Sequence, residues 1–200
     1  MSALNELSET ITVCQQCEIA RNRTKAVPGE GSESADIMFI GEAPGYYEDQ
    51  SGRPFVGPAG KFLEQLLASI CLNREQVFIA NIIKCRPPGN RDPLPGEIQN
   101  CCNWLERQIG IIRPKIIVTL GRYSMAKFFP GKSISKIHGT AQKQDDIIHY
   151  AMYHPAAALH QQSLRQTIEA DMLKIPALLV EATAIPDVKP ESRQLNMFEV

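Results

Sequence analysis

Four short β-rich runs, each followed by glycine or a polar residue, constrain the fold of this chain most strongly. The runs span residues 36–40, 77–80, 115–120 and 147–153. The first and third are continuously apolar, which is typical of strands covered on both faces. Helical patterns lie around them, at 59–70, 95–109, 123–129 and, closing the domain, 164–181. This alternation predicts a parallel sheet with crossover helices on both of its faces.

Chemically distinct side chains follow the four runs. They are Gly41 with Glu42, Asn81, Gly121 with Arg122, and His154. In open parallel sheets, binding sites form just beyond the carboxyl ends of the strands. Each residue alone is more often an ordinary loop residue. A carboxylate, an amide, a cation and an imidazole at four strand ends together favour a functional site.

Length and charge narrow the class of protein. A chain of 200 residues favours one domain. Its net charge of −1 argues against a protein that coats DNA by bulk charge, although basic segments at 21–25 and 84–86 could form a local basic face. The apolar runs are too short to span a membrane. The first residues lack the pattern of a secretory signal, so a cytoplasmic location is expected.

Two loops carry glycine and proline at positions suited to a ligand site. Residues 41–45 read Gly-Glu-Ala-Pro-Gly, and such a turn, beginning at Gly41, lets a ligand approach the backbone closely. Residues 51–58 surround one aromatic side chain, Phe55, with turn-forming residues. The ring could stack on a planar base. Alternatively, it anchors the loop on the core.

Asn81 and His154 are the candidate polar contacts to a base. An asparagine amide offers a donor and an acceptor side by side, which match O4 and N3–H of uracil. The alternative is an asparagine that ends its strand by bonding the local backbone. His154 precedes Pro155 and is well placed to donate a hydrogen bond. Taken alone, the motif is better explained by a histidine at a helix start.

Six cysteines suggest metal ligation in a reducing compartment, where structural disulfides are rare. Cys14 and Cys17 form a CxxC pair within a polar segment, and Cys85 and Cys101 form a second, widely spaced pair. Four thiolates suit either tetrahedral zinc or a cubane iron–sulfur cluster, and composition does not choose between them. Two further cysteines fall on apolar helix stripes and are expected in the core. These are Cys71 and Cys102.

Five ordered segments resemble the family 4 uracil-DNA glycosylases over about residues 4–180. They read CQQC, GEAPG, GRPFVGPAG, NIIKCRPPGNRDPLPGEIQNC and HPAAAL. The resemblance implies a three-layer α/β/α sandwich, with a central four-stranded parallel sheet, in a domain of residues 1–182. It also implies a [4Fe–4S] cluster on the four cysteines assigned above to metal. The implied reaction is hydrolysis of the N-glycosidic bond of a flipped deoxyuridine in DNA, which starts base excision repair.

The resemblance also implies roles for single residues. Glu42 would lie near the sugar and the attacking water, and His154 near uracil O2. Phe55 would stack on uracil, and Asn81 would read its edge. Glu48 would crowd the position where thymine carries its methyl group.

One departure concerns the attacking water. Cluster-free uracil glycosylases have a water-activating aspartate where this chain has Ala43. Water activation by Glu42 is therefore an inference and is not carried over from those enzymes.

The polar, proline-containing segment at 183–200 is expected to be a flexible tail. Its end resembles the short motif that bacterial repair proteins dock on the sliding clamp. The residues concerned are Gln194, Leu195, Met197 and Phe198. An apolar tail that packs on its own domain is the alternative. The enzyme itself is expected to be a monomer.

Two other functions compete with uracil excision. A broader mismatch glycosylase would also remove thymine or hypoxanthine, which Asn81 and Glu48 argue against. A metal-stabilised DNA-binding module would explain the cysteines but not the converging polar side chains. A nucleotide-binding α/β protein is disfavoured, because the chain has no GxGxxG or GxxxxGK[ST] loop.

Overall fold

The computed structural model describes residues 2–184, in which helices and strands alternate along most of the chain. The helices are α1 Ala3–Thr12, α2 Ile19–Asn22, α3 Tyr46–Ser51, α4 Pro58–Ser69, α5 Pro95–Ile112, α6 Arg122–Phe128, α7 Ile134–Ile137, α8 Pro155–His160, α9 Ser163–Met172 and α10 Ile175–Ala184. The strands are β1 Glu30–Gly31, β2 Ile37–Gly41, β3 Phe78–Asn81, β4 Ile116–Leu120, β5 Ala141–Gln144 and β6 Ile147–Met152.

The strands form one mixed sheet in the order β1-β3-β2-β4-β6-β5. The four central strands β3, β2, β4 and β6 are parallel, which confirms the predicted four-stranded parallel core. Two short antiparallel strands, β1 and β5, extend the sheet at its edges and were not predicted. Strand β5 is exposed throughout, so it carries no apolar pattern that could reveal it.

Helices cover both faces of the sheet. Alternate side chains of the central strands point to opposite sides, so each strand contributes to two cores. On β2, Ile37 and Phe39 face a core completed by α4, α9 and α10, while Met38 and Ile40 face a second core. Helices α1 and α5 complete that second core. The result is the three-layer α/β/α sandwich, with each strand end held rigidly between two packed layers.

The predicted single closing helix over 164–181 is wrong in one respect, since the structure divides it into α9 and α10. The break lies just before Pro176, the second residue of α10. Proline has no N–H to donate, and its ring clashes with the carbonyl four residues earlier, so α9 does not continue through it. Pro176 is instead accommodated in the first turn of a new helix.

The expectation that Cys71 and Cys102 are core residues is also wrong. Cys71 lies just beyond α4, exposed and with a left-handed φ of 59°. It falls outside the helix because α4 ends at Ser69, two residues before Cys71. Cys102 is half-buried, and its thiol donates to the carbonyl of Gln99, while Trp104 fills the core nearby.

At the C-terminal end of the described chain, α10 continues to Ala184, two residues past the predicted start of the tail. The four residues of the predicted clamp motif lie outside the described residues. Between residues 2 and 184, no helix has the length and apolar character needed to cross a membrane.

Candidate active site

The carboxyl ends of the four parallel strands bring the predicted site residues to one edge of the sheet. Asn81 ends β3 and is paired in register with Gly41, which ends β2. Gly121 follows β4, and His154 follows β6 by two residues. Gly121 has a φ of 93°, and a Cβ there would lie 3.0 Å from the Cβ of His154. This glycine therefore permits both the turn into α6 and the close approach of the histidine.

The backbone of Gly41, which carries no side chain, lies against Asn81 and Phe55. A Cβ at this position would lie 2.4 Å from Asn81 Oδ1 and 2.6 Å from Phe55 Cζ. Both distances are below 3.0 Å, so a side chain at this position would displace Asn81 or Phe55. The Phe55 ring lies 5.5 Å from the His154 ring, centroid to centroid, with an angle of 25° between their planes. The structure thus brings these four residues together, as the sequence predicted.

Asn81 carries a buried acceptor without a partner. Its side chain is 2% exposed, and Oδ1 accepts no hydrogen bond from any described residue. Such an orphan is costly, since a buried unpaired polar group destabilises a fold by about 1–3 kcal/mol. Separately, the main-chain carbonyl of Asn81 accepts from the buried ammonium of Lys84 at 2.9 Å. Oδ1 therefore remains an acceptor for a donor that residues 2–184 do not supply.

His154 is held as a neutral imidazole with a defined tautomer. Its Nδ1 accepts the backbone N–H of Ala156 at 3.1 Å, so the ring proton lies on Nε2. Burial lowers the pKa of His154 to about 4, while the nearby Glu48 carboxylate acts weakly in the opposite direction. At neutral pH the ring is therefore an uncharged hydrogen-bond donor.

Glu42 follows the same strand end and is half-buried. Burial, and secondly the negative charge of Asp92, raise the pKa of Glu42 to about 7. The guanidinium of Arg122 lowers it and limits the shift. Arg122 is itself paired with Asp92 across the pocket rim. A carboxylate poised in this way is ionised in about half of the molecules near neutral pH.

The carboxylate of Glu48 accepts hydrogen bonds from three backbone N–H groups. Its Oε2 accepts the N–H of Gly45 at 3.1 Å, and its Oε1 accepts the N–H groups of Val56 and Gly57, each at 2.9 Å. The carboxylate therefore ties the turn at 41–45 to the loop that carries Phe55. Its action against the thymine methyl stays a prediction.

The four cysteines assigned to metal line one cavity between α1, α2, α5 and the segment after β3. Two of their sulfurs already accept hydrogen bonds: Cys85 Sγ from Arg23 Nη1 at 2.9 Å, and Cys101 Sγ from the Lys84 backbone N–H at 3.3 Å. Across residues 2–184, no three His, Cys, Asp or Glu side chains are gathered closely enough to hold one metal ion.

Comparison with known proteins identifies the family. The model described as the uracil DNA glycosylase superfamily matches residues 28–175. The type-4 uracil-DNA glycosylase of Sulfurisphaera tokodaii is 49% identical over 190 residues, 90% of this chain and 86% of the relative. That of Archaeoglobus fulgidus is 43% identical over 187 residues, 89% of this chain and 94% of the relative. This chain belongs to the type-4 uracil-DNA glycosylases.

Sequence reasoning did not identify two cations that support this type-4 glycosylase site, one buried and one partly buried. Lys84 is 1% exposed and donates to the Asn81 carbonyl and, at 2.6 Å, to Gln108 Oε1. Arg74 donates to the main chain of the loop that carries Phe55. Each charged residue reads as an ordinary surface residue in its own segment. The only local signal was the position of Lys84, in an otherwise apolar run directly before Cys85.

Proposed function

We propose that this protein removes uracil from DNA by hydrolysing the N-glycosidic bond of a flipped deoxyuridine, and so starts base excision repair. Family membership supports this reaction. The observation that carries it is the unpartnered Oδ1 of Asn81, buried beside the Phe55 ring and the Nε2–H donor of His154. Uracil supplies what these groups need: a planar ring, an N3–H donor, and a carbonyl that gains negative charge on leaving.

Recognition follows from the pattern of donors and acceptors. Asn81 Oδ1 accepts the N3–H of uracil, and its amide N–H donates to O4. Cytosine presents an acceptor at N3 and a donor at C4, so it would leave the buried amide mispaired on both atoms. Flipping the nucleotide costs a few kcal/mol, and stacking on Phe55 returns about 1–3 kcal/mol of it.

Bond cleavage builds negative charge on uracil and positive charge on the deoxyribose. The Nε2–H of His154 donates to uracil O2 and stabilises the departing anion, in the manner of a preorganised oxyanion hole. Because the pKa of His154 is about 4, the ring makes this hydrogen bond as a neutral donor at pH 7. The ionised Glu42 carboxylate stabilises the sugar cation and orients the attacking water.

An abasic-site assay tests this reaction. The purified protein is incubated with oligonucleotides that are identical except for one deoxyuridine, deoxycytidine or thymidine, and strand scission at base-free sites is measured after alkali. Scission is expected only in the deoxyuridine strand. The proposal fails if the deoxyuridine strand stays intact. Scission of the thymidine strand at a comparable rate would instead support a broader mismatch glycosylase.

We further propose that a [4Fe–4S] cluster binds to Cys14, Cys17, Cys85 and Cys101. The four sulfurs share one cavity, and the N–H groups of Arg23 and Lys84 that point at two of them would stabilise thiolate charge. When bound, the cluster would supply a covalent tie between the N-terminal helices and the segment that follows Asn81. Hydrolysis requires no electron transfer from it. Iron and zinc analysis, with a visible absorption spectrum, separates a cluster from zinc.

A cytoplasmic monomer with a clamp-binding tail completes the proposal. No disulfide joins any of the six cysteines, as expected in a reducing compartment. The tail motif Gln194-Leu195-x-Met197-Phe198 has apolar anchors suited to a hydrophobic groove. Deleting residues 190–200 should abolish binding to the sliding clamp and spare uracil release. Unchanged clamp binding by the truncated protein would exclude the motif.

A further inference from the structure

The loop that carries Phe55 is held in an unfavourable backbone conformation. Phe55 has a φ of 52°, in the left-handed region that non-glycine residues with bulky side chains rarely adopt. Such a conformation persists only when its surroundings impose it. It also determines the ring position, since the ring is 5% exposed and lies against Gly41 and His154. Whatever imposes this conformation therefore sets the surface on which uracil stacks.

Arg74 binds the main chain of this loop through two hydrogen bonds. Its Nη1 donates to the carbonyl of Phe55 at 2.9 Å, and its Nη2 donates to the carbonyl of Pro54 at 2.5 Å. Two consecutive carbonyls thus accept from one planar guanidinium, a geometry that lysine does not reproduce. The Arg74 side chain is 14% exposed.

Acidic residues and a helix fix the guanidinium against the loop. Nε of Arg74 is paired with Glu30 at 3.2 Å, and Nη1 lies 3.5 Å from a carboxylate oxygen of Glu64 on α4. The first turn of α4 packs on the same peptide, since a Cβ on Gly60 would lie 1.8 Å from the Phe55 carbonyl oxygen. Glu48 binds the two following N–H groups. The loop is therefore held at its carbonyls by Arg74 and at its amides by Glu48.

We propose that Arg74 is a positioning residue for base recognition, which holds the Phe55 ring in its stacking position without touching the substrate. This inference rests on the proposed uracil-excision function. Arg74→Lys retains the charge and at most one of the two carbonyl contacts. The ring would then sample other positions, and the affinity for the base would fall more than the rate of bond cleavage.

Arg53 provides a matched control, because it shares Glu30 with Arg74. Its Nε and Nη2 donate to the two Glu30 oxygens at 2.6 and 2.8 Å, and none of its hydrogen bonds in the described chain reaches Pro54 or Phe55. Arg53→Lys therefore weakens the ion pairs around Glu30. It leaves the hydrogen bonds from Arg74 to the two loop carbonyls intact. The difference between the two variants isolates the carbonyl contacts.

The experiment measures inhibition by free uracil, together with kcat and KM on a deoxyuridine oligonucleotide, below the unfolding temperature of each variant. Arg74→Lys should raise both the inhibition constant of uracil and KM about tenfold, because part of the stacking energy with Phe55 is lost. The change in kcat should be smaller. Arg53→Lys should change either constant less than about twofold. Arg74→Gln is the second variant if the lysine variant does not fold.

A double-mutant cycle with Phe55→Ala separates positioning from a general structural role. If Arg74 acts through the ring, Arg74→Lys adds no further loss of uracil affinity once the ring is gone. An equal loss in both backgrounds, or wild-type affinity in the folded Arg74 variants, would refute the inference. Absence of uracil release by the wild-type protein would instead refute the proposed function, so the two failures are distinguishable.

Discussion

Glu42 gives the most quantitative test of the electrostatics of the pocket. Its pKa of about 7, raised by burial and by Asp92, means that the ionised fraction rises from about one tenth near pH 6 to about nine tenths near pH 8. If the carboxylate stabilises the sugar cation, kcat/KM should rise about tenfold over this range. His154, with a pKa of about 4, stays neutral throughout and adds no slope.

The assay is a steady-state pH profile on a single-stranded deoxyuridine oligonucleotide at constant ionic strength, because phosphate contacts depend on salt. Glu42→Gln is the matched variant, since it keeps the shape of the side chain and removes the titration. It should be much slower and show a flat profile. A flat wild-type profile, or the same tenfold rise in the glutamine variant, would refute the assignment of the ionisation to Glu42.

The raised pKa of Glu42 also makes the free energy of unfolding fall as pH rises. The folded-state pKa of Glu42 lies above its unfolded value, so the folded protein holds this proton more tightly than the unfolded chain does. The associated stability is fully present below the unfolded pKa and is lost as pH rises through about 7. Glu42→Gln should therefore be more stable than wild type near pH 8 in urea unfolding. A less stable variant at that pH would contradict the assigned burial cost.

Three further substitutions test separate parts of the site. Asn81→Asp loses the N–H donor to O4, so it should slow uracil excision about 10- to 100-fold and allow some cytosine excision. The base released is measured, and unchanged selectivity would argue against base recognition by Asn81. His154→Ala should lower kcat about 10²- to 10³-fold, and a near-normal rate would remove this residue from the mechanism. Cys101→Ser should lose bound iron and lower the melting temperature, whereas Cys71→Ser should do neither; equal iron in both variants would exclude Cys101 as a ligand.

The positions of the candidate site residues at the sheet edge could be predicted because each stands where a local pattern ends. Apolar runs long enough to be buried strands end at Gly41, Asn81 and Gly121, and parallel strands place their carboxyl ends together. Phe55 was predictable for another reason, as the one aromatic side chain in a loop of glycine and proline.

The supporting residues could not be predicted, because their roles depend on contacts between distant segments. Arg74 reaches a carbonyl 19 positions earlier in the chain, and Lys84 reaches Gln108 across 24 positions. No periodicity or motif marks such pairs. The helix break at Pro176 is different, since the proline was visible and the apolar stripe on both sides of it suggested one continuous helix.

Excision of N3-methyldeoxyuridine tests the central claim most directly. The methyl group removes the one donor that Asn81 Oδ1 is held to accept, while the base keeps its ring and its O2. The account predicts rapid release of uracil and release of 3-methyluracil slower by at least about 10- to 100-fold, as expected when a buried acceptor is left unpaired. Comparable rates for the two bases would contradict it.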